Sequence, residues 1–231
     1  MSTTKDFHPE LLRPLGQVCE PDPRNTSFVI PDHETGKFIP LDLRDQHEAV
    51  SKHTLHAKVP EDIMMQFETA RNLYLYAWFV YRFYPVCEHH ALVCLELALR
   101  ERYEHEAPNK YRNRDGKLYL KRAIRYAIDR GHVKHEGFRR WREAAQRRAL
   151  LRYQMEKTDE MYAKGLKEID LDYSEATVTG ADRNLEYLNF LASYLPEIRN
   201  HYAHGTPMLH NQVLTTLEVV SEIINQIYPA E

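Results

Sequence analysis

Apolar residues follow a helical rhythm from about residue 61 to the end of the chain. Between Ile63 and Tyr84 they recur at alternating steps of four and three, which predicts one long helix over residues 61–84 that ends at Pro85. The other faces of this helix are also rich in aromatic residues. We therefore expect it to be buried on most sides or to pack against a second subunit.

The same spacing predicts further helices at residues 89–103, 117–130, 138–165, 184–202 and 213–227. The helix that contains Pro196 keeps its rhythm beyond that residue, which predicts a kink rather than an end. Asp182, the last residue of a turn-rich segment, is placed to cap this helix. No strand alternation and no internal repeat follow residue 60, so the main body is predicted to be an all-α, up-and-down helical bundle.

The first 60 residues have a different character. They hold seven of the twelve prolines and show little helical periodicity, which predicts an irregular extension. Within it, the sequence SFVIPDHETGKFIPL (27–41) has two short apolar runs around a turn-rich centre. This pattern predicts a short β-hairpin, which Pro31 and Pro40 limit to edge pairing. The chain is therefore divided into an N-terminal extension, 1–60, and a helical bundle, 61–231.

Composition indicates a globular protein without a membrane span. Hydrophobic residues make up 43% of the chain and charged residues 28%, and no apolar run approaches the ~20 residues that a transmembrane helix needs. The N-terminus shows no signal-peptide pattern and the chain has only three cysteines, so we expect a cytoplasmic location. Cys87 and Cys94 are two helical turns apart, too far for a disulfide, and are predicted to be buried apolar side chains.

The net charge of the chain is −3, but its charges are unevenly distributed, and the helical segment 110–165 contains a basic region. Residues 110–152 contain fifteen lysines and arginines against four acidic residues. Two interpretations stay open: a surface that binds a polyanion such as RNA, or a solvated helical face whose acidic partners lie elsewhere in the fold. The residues expected to contact an RNA backbone are Lys121, Arg122, Arg125, Arg139 and Arg140. The aromatic residues available either for base stacking or for the core are Tyr111, Tyr119, Tyr126 and Trp141.

The sequence RNHYAHG (199–205) places an arginine and a histidine five positions apart near the end of a predicted helix. Two other pairs in the chain share this spacing, so spacing alone does not identify a site. Gly205 suits the left-handed conformation that ends a helix, while Thr206 and Pro207 suit the start of the next one. We therefore predict that His204 lies at a sharp corner between the last two helices.

Such a corner would carry the groups that metal-free RNA cleavage needs. The end of one helix favours a protonated His204, and the start of the next offers free N–H groups to an anion. The imidazole can move protons at the 2′-hydroxyl or the leaving oxygen, while Arg199 stabilises charge on the phosphorus oxygens. Asn200, one turn before His204, is expected to orient the ring. The alternative is a polar helix end with no chemistry.

RNHYAHG, between the last two helices of an all-α chain, resembles the Arg-(Asn/Asp/His)-x3-His signature of the HEPN superfamily (higher eukaryotes and prokaryotes nucleotide-binding domain). The segment from Glu96 to Arg100 resembles the acidic-x3-basic motif of an earlier helix in that bundle. Many members are metal-independent endoribonucleases that act as homodimers in toxin–antitoxin, abortive-infection and other defence systems. The resemblance implies that the catalytic residues are Arg199, His204 and Asn200, and that the supporting residues are Glu96, Arg100, His201 and Tyr202.

Several further expectations follow from this resemblance. It implies RNA as substrate, no cofactor, a homodimer, and an antitoxin or other regulatory protein as a partner. In a dimer, one subunit's histidine would serve as acid and the other's as base. HEPN toxins paired with nucleotidyltransferase antitoxins commonly have a tyrosine two positions after the histidine. This chain has Thr206 there, so control by modification of that tyrosine is not expected.

Glu96 also admits a purely structural interpretation, because a lone carboxylate inside an apolar helix needs a partner, and Arg100 lies one turn later. Two other functions stay open for the chain as a whole. One is a HEPN-like bundle that binds RNA, nucleotide or protein without chemistry, and the other is an unrelated helical interaction protein. A metal enzyme would have to use His53, His56, His89 or His90, and no firm third ligand accompanies them.

Overall fold

The computed structural model describes residue 8, residues 10–32 and residues 35–230. Seven α-helices and one two-stranded antiparallel sheet lie in this part of the chain, which confirms an all-α bundle with a short hairpin. The elements are β1 (Val29–Pro31), β2 (Phe38–Pro40), α1 (Leu43–Ser51), α2 (Glu61–Tyr76), α3 (Phe83–Tyr103), α4 (Leu120–Asp129), α5 (Arg139–Ala163), α6 (Tyr187–Ala203) and α7 (Leu214–Ile227). None of the described helices is long and apolar enough to cross a membrane.

Helix α3 forms the centre of the bundle and packs against α2, α4, α6 and α7. Leu92, Leu95 and Leu99 on α3 are completely buried, as are both cysteines that the sequence predicted to be interior. Burial raises the pKa of the Cys94 thiol to about 12, so it stays protonated. Buried residues of α2, α3 and α7 form one hydrophobic core with residues of α4 and α6.

The prediction of a single long helix over residues 61–84 is wrong. Helix α2 ends at Tyr76, a turn follows, and α3 begins at Phe83, with Pro85 in its first turn, where the missing N–H breaks no helical hydrogen bond. The apolar spacing continues through the turn between α2 and α3 because Ala77 and Tyr81, which lie in this turn, are also buried in the core. The amide of Asn25 donates to the carbonyls of Ala77 and Trp78, which replaces helical hydrogen bonds at this position.

The N-terminal segment contains the predicted hairpin, in which Ile30 pairs with Ile39. It is less irregular than expected, because α1 follows the hairpin and begins with a capping box made by Asp42 and Asp45. The Gln46 side chain donates to the Tyr74 carbonyl at 2.7 Å, and Val50 is buried. These contacts fasten α1 to α2, so the segment is part of the packed fold.

The helices after α3 begin and end close to the predicted glycines. Helix α6 runs through Pro196 as expected, but its N-cap is Glu186 rather than Asp182. Asp182 is buried and instead closes its own short turn, where it accepts hydrogen bonds from the backbone and hydroxyl of Thr179. Arg152 on α5 pairs with the same carboxylate at 2.9 Å, so Asp182 ties the loop before α6 to α5.

Candidate functional site

Helix α6 carries most of the residues of the RNHYAHG sequence. Its last residue is Ala203, and His204 is the C-cap, with its backbone N–H bonded to the Asn200 carbonyl at 3.1 Å. Gly205 follows with φ = 79°, the left-handed conformation predicted for a helix end. Arg199 and Asn200 are thus held on a rigid helix, and His204 lies at its end.

The expected corner between two helices is absent at this position, because α7 begins only at Leu214. Thr206 instead accepts a hydrogen bond from the Met208 backbone N–H in a local turn, and His201 contacts its hydroxyl at 2.7 Å. This turn takes the place of the helix start that Thr206 and Pro207 favour, and residues 207–210 are not helical. The anion-binding helix start that the sequence predicted beside His204 therefore does not form.

Glu96 and Arg199 meet across the interface of α3 and α6. The Arg199 Nη2 and Glu96 Oε2 atoms are 3.0 Å apart, and the two side chains are 32% and 11% exposed. Arg100 was the expected partner of Glu96, and this expectation is wrong. The Arg100 side chain is 53% exposed, and its Nε atom lies 3.8 Å from Glu104 Oε2.

The Glu96–Arg199 pair lines a groove of about 380 Å³ between α6 and the start of α4. Asn200 lies beside the pair and accepts a long hydrogen bond of 3.4 Å from Arg199. Lys121 and Arg122, both predicted to contact RNA, line the same groove together with Tyr119. The fold therefore brings predicted catalytic, supporting and phosphate-binding residues into one place.

His204 does not line this groove in a single copy of the chain. Residues five apart on a continuous helix point about 140° away from each other, and α6 is helical up to Ala203. Arg199 and His204 are therefore splayed. Asn200 bonds to Arg199 rather than to the His204 ring. The His204 side chain is exposed to solvent.

His201 and Tyr202 belong to another face of α6. The Tyr202 hydroxyl donates to the buried carboxylate of Glu88 at 2.6 Å, and Thr216 donates to the other oxygen of Glu88. His210 lies 3.1 Å from the Tyr202 hydroxyl. Burial, followed by the hydrogen bond to Glu88, raises the pKa of Tyr202 far above its usual range. Tyr202 therefore keeps its proton and supports the α3–α6–α7 packing.

The basic region divides into residues that face this groove or a neighbouring cavity and residues that pair with acidic side chains of other helices. Arg125 lines a neighbouring cavity of about 460 Å³ with Lys121 and donates to Asn189 at 2.7 Å. Arg139 and Arg140, predicted to contact RNA, each lie 2.6 Å from an oxygen of the buried Glu218. The interpretation that acidic partners come from elsewhere in the fold is thus correct for these two arginines.

The aromatic residues of the basic region are mainly core residues. Tyr111, Tyr126 and Trp141 are buried, and only Tyr119 of the four is well exposed. Sequence reasoning missed a different aromatic pair, Phe190 and Tyr194 on α6, which are 54% and 44% exposed. The sequence indicates this exposed pair by its spacing, because the two residues are one helical turn apart and lie off the apolar face of α6.

No group of three or more histidine, cysteine or acidic side chains that could hold a metal ion occurs among the residues that the structure describes. His56, for example, lies against the Asn225 carbonyl at 3.2 Å.

In comparisons with known proteins, the chain matches no family model, and it has no significant match among curated proteins or solved structures.

Proposed function

We propose that this protein is a metal-independent endoribonuclease of the HEPN type. The observation that carries the proposal is the Glu96–Arg199 pair, joined at 3.0 Å across two helices in a groove that Lys121 and Arg122 also line. A guanidinium held by a carboxylate keeps a fixed orientation and presents its remaining N–H groups to a phosphate. Two more cations beside it suit the backbone of an RNA strand.

In the proposed reaction, the ribose 2′-oxygen attacks the adjacent phosphorus. The new bond joins O2′ to phosphorus, the P–O5′ bond breaks, and the products are a 2′,3′-cyclic phosphate and a free 5′-hydroxyl. Arg199 stabilises the charge that builds on the phosphorus oxygens, and Asn200 contributes a further hydrogen-bond donor. Histidine accepts the proton of the 2′-hydroxyl or donates one to the leaving oxygen.

The separation of Arg199 from His204 makes a homodimer part of the proposal. A two-fold axis close to the end of α6 would set His204 of one subunit against the groove of the other, which a single copy leaves without an imidazole. An antitoxin or another regulatory protein would inhibit the enzyme by covering this groove, as in a defence or toxin system. The proposed enzyme would act in the cytoplasm, on RNA of the cell or of an invader.

Cleavage of labelled single-stranded RNA and transfer RNA in EDTA tests the proposal. The parent protein should leave 2′,3′-cyclic phosphate ends, and Arg199→Ala and His204→Ala should each lower the rate by about 100-fold or more. Matched controls are Arg44→Ala and His47→Ala, two exposed side chains on α1. Activity that disappears with EDTA, or that survives His204→Ala, would contradict the proposal.

A further inference from the structure

A second groove lies on the opposite side of α6, where α5 and α7 flank it. It measures about 480 Å³ and is lined by Arg139, Arg140, Arg147 and Arg148 from α5 and by Phe190 and Tyr194 from α6. Residues 190 and 194 differ from residue 199 by about 180° and 140° around the helix axis, so this groove is separate from the Glu96–Arg199 groove.

The second groove keeps a positive charge after its internal ion pairs are counted. Arg139 and Arg140 share the buried Glu218, and Arg139 also pairs with Glu143 at 2.6 Å. Arg148 uses its Nε to donate to the Asp182 carbonyl, a neutral partner. Arg147 is exposed on the same helix. Acidic side chains thus pair with Arg139 and Arg140, whereas Arg147 and Arg148 have no ion-pair partner among the described residues, which leaves positive charge beside the aromatic pair.

Phe190 and Tyr194 form a flat aromatic surface at the edge of this groove. Their ring centroids are 4.9 Å apart and the rings are inclined by only 20°, so the pair is stacked. About half of each side chain is exposed, although Leu191 and Leu195 beside them are buried. Stacked, exposed aromatic rings next to arginines are the arrangement that proteins use to hold unpaired bases together with their phosphates.

The groove continues past Tyr194 into a second cavity of about 540 Å³. Tyr194, Thr215 and Thr216 line both cavities, and the second one reaches His201 and His210. The two adjoining cavities together have room for more than one nucleotide. They therefore suit an extended strand better than a free mononucleotide.

We infer that the groove between α5, α6 and α7 is a binding site for unpaired RNA, in which bases stack on Phe190 and Tyr194 and phosphates contact Arg147 and its neighbours. The choice of RNA as the strand rests on the proposed function. The site itself lies away from the cleavage groove, so it holds the substrate rather than reacting with it. This site should bind unpaired RNA more tightly than double-stranded RNA, because only unpaired bases can stack on the aromatic pair.

Fluorescence anisotropy with a labelled 2′-O-methyl oligoadenylate, which 2′-oxygen attack cannot cleave, tests the inference in EDTA. Phe190→Ala and Tyr194→Ala should each weaken binding roughly tenfold and leave its salt dependence unchanged. Arg147→Ala should weaken binding and reduce the slope of log affinity against log salt by about one. Tyr162→Ala and Arg44→Ala, which replace exposed residues outside the groove, are the matched controls and should bind like the parent.

Three results would overturn the inference: unchanged affinity in the Phe190→Ala Tyr194→Ala double variant, equal affinity for an abasic strand of the same length, or AMP binding as tight as that of the oligomer. The variants replace exposed side chains, and circular dichroism melts should show that each unfolds at the temperature of the parent. Binding that needs the aromatic pair, together with no cleavage by the parent, would support this site while contradicting the nuclease. Cleavage by the parent, together with unchanged binding in the double variant, would support the nuclease while contradicting this site.

Discussion

Buried carboxylates set the electrostatics of this protein at the scale of single residues. Glu88 is held by the hydroxyls of Tyr202 and Thr216, Glu96 by Arg199, and Glu218 by two arginines of α5. Each carboxylate thus obtains hydrogen bonds or a counter-charge, which buried acids require. Glu222 is partly buried: one of its oxygens accepts the Arg139 backbone N–H at 2.7 Å, and the other is buried without a hydrogen-bond partner among the described residues.

The Glu222 carboxyl makes stability depend on pH. Burial, with the nearby charge of Glu218, raises the pKa of Glu222 to about 7, above its ordinary value of 4.5. The folded state therefore binds this proton more tightly than the unfolded state, and stability is lost as pH rises from about 4.5 through 7. We expect Glu222→Gln to raise the free energy of unfolding at about pH 8 by on the order of 1 kcal/mol, after allowance for solvent screening.

Urea denaturation of Glu222→Gln and the parent, at about pH 8 and about pH 4, measures this difference. The gain should vanish at the lower pH, where Glu222 carries a proton in both states. Glu168→Gln, which neutralises an exposed glutamate, is the control. An equal gain at both pH values would show that the charge of Glu222 is not its cause.

At the scale of elements, α6 organises both proposed sites. One side presents Arg199 and Asn200 to the groove beside α4, and the other presents Phe190 and Tyr194 to the groove beside α5. The loop before α6 therefore matters to both grooves. It is anchored by Arg152, which bonds to the Thr177 carbonyl and to Asp182, each at 2.9 Å.

Replacement of Arg152 by alanine should release this loop. Asp182 would lose the arginine that holds its pKa far below the usual range, and the loop would lose the side chain that bonds both Thr177 and Asp182 to α5. We expect trypsin to cut several-fold faster after Lys167 or Arg183, as measured by mass spectrometry of a timed digest. Arg147→Ala, an exposed arginine on the same helix, should leave the digestion rate unchanged. Identical digestion of both variants would contradict this anchoring role.

At the scale of the whole molecule, the proposed cleavage site is incomplete in one copy. The groove holds Arg199, whereas His204 lies outside it at the end of α6. If each site is built from two subunits, a mixture of two inactive variants can contain an intact site. In a mixed dimer of Arg199→Ala and His204→Ala subunits, one groove combines an intact arginine with an intact histidine.

Mixing these two variants should therefore restore a substantial part of the parent's RNA cleavage in EDTA, although each alone is inactive. Light scattering should give a mass of about twice the 27.4 kDa of one chain for the parent. A mixture that is as inactive as its components, measured under conditions where the variants exchange subunits, would contradict a site shared between two copies.

Much of the architecture follows from sequence because helices are encoded by near neighbours. Apolar spacing and flanking glycines placed α4, α5 and α7 close to their observed ends, and the left-handed Gly205 ends α6 as predicted. The break between α2 and α3 was missed because apolar spacing continued through a turn whose side chains are also buried. The separate expectation of a helix start at Thr206 and Pro207 was wrong, because a good local N-cap and first-turn pair does not by itself start a helix, and α7 begins at Leu214.

By itself, then, the sequence determined the helical class, the hairpin, most helix limits and the residues worth testing, since these depend on local backbone preference and on which residues avoid water. Only the tertiary structure decided that Glu96 pairs with Arg199 rather than Arg100, that Trp141 is interior, and that Phe190 and Tyr194 are exposed beside arginines. Those outcomes depend on how helices distant in the chain pack together. A residue's neighbours along the sequence do not specify that packing.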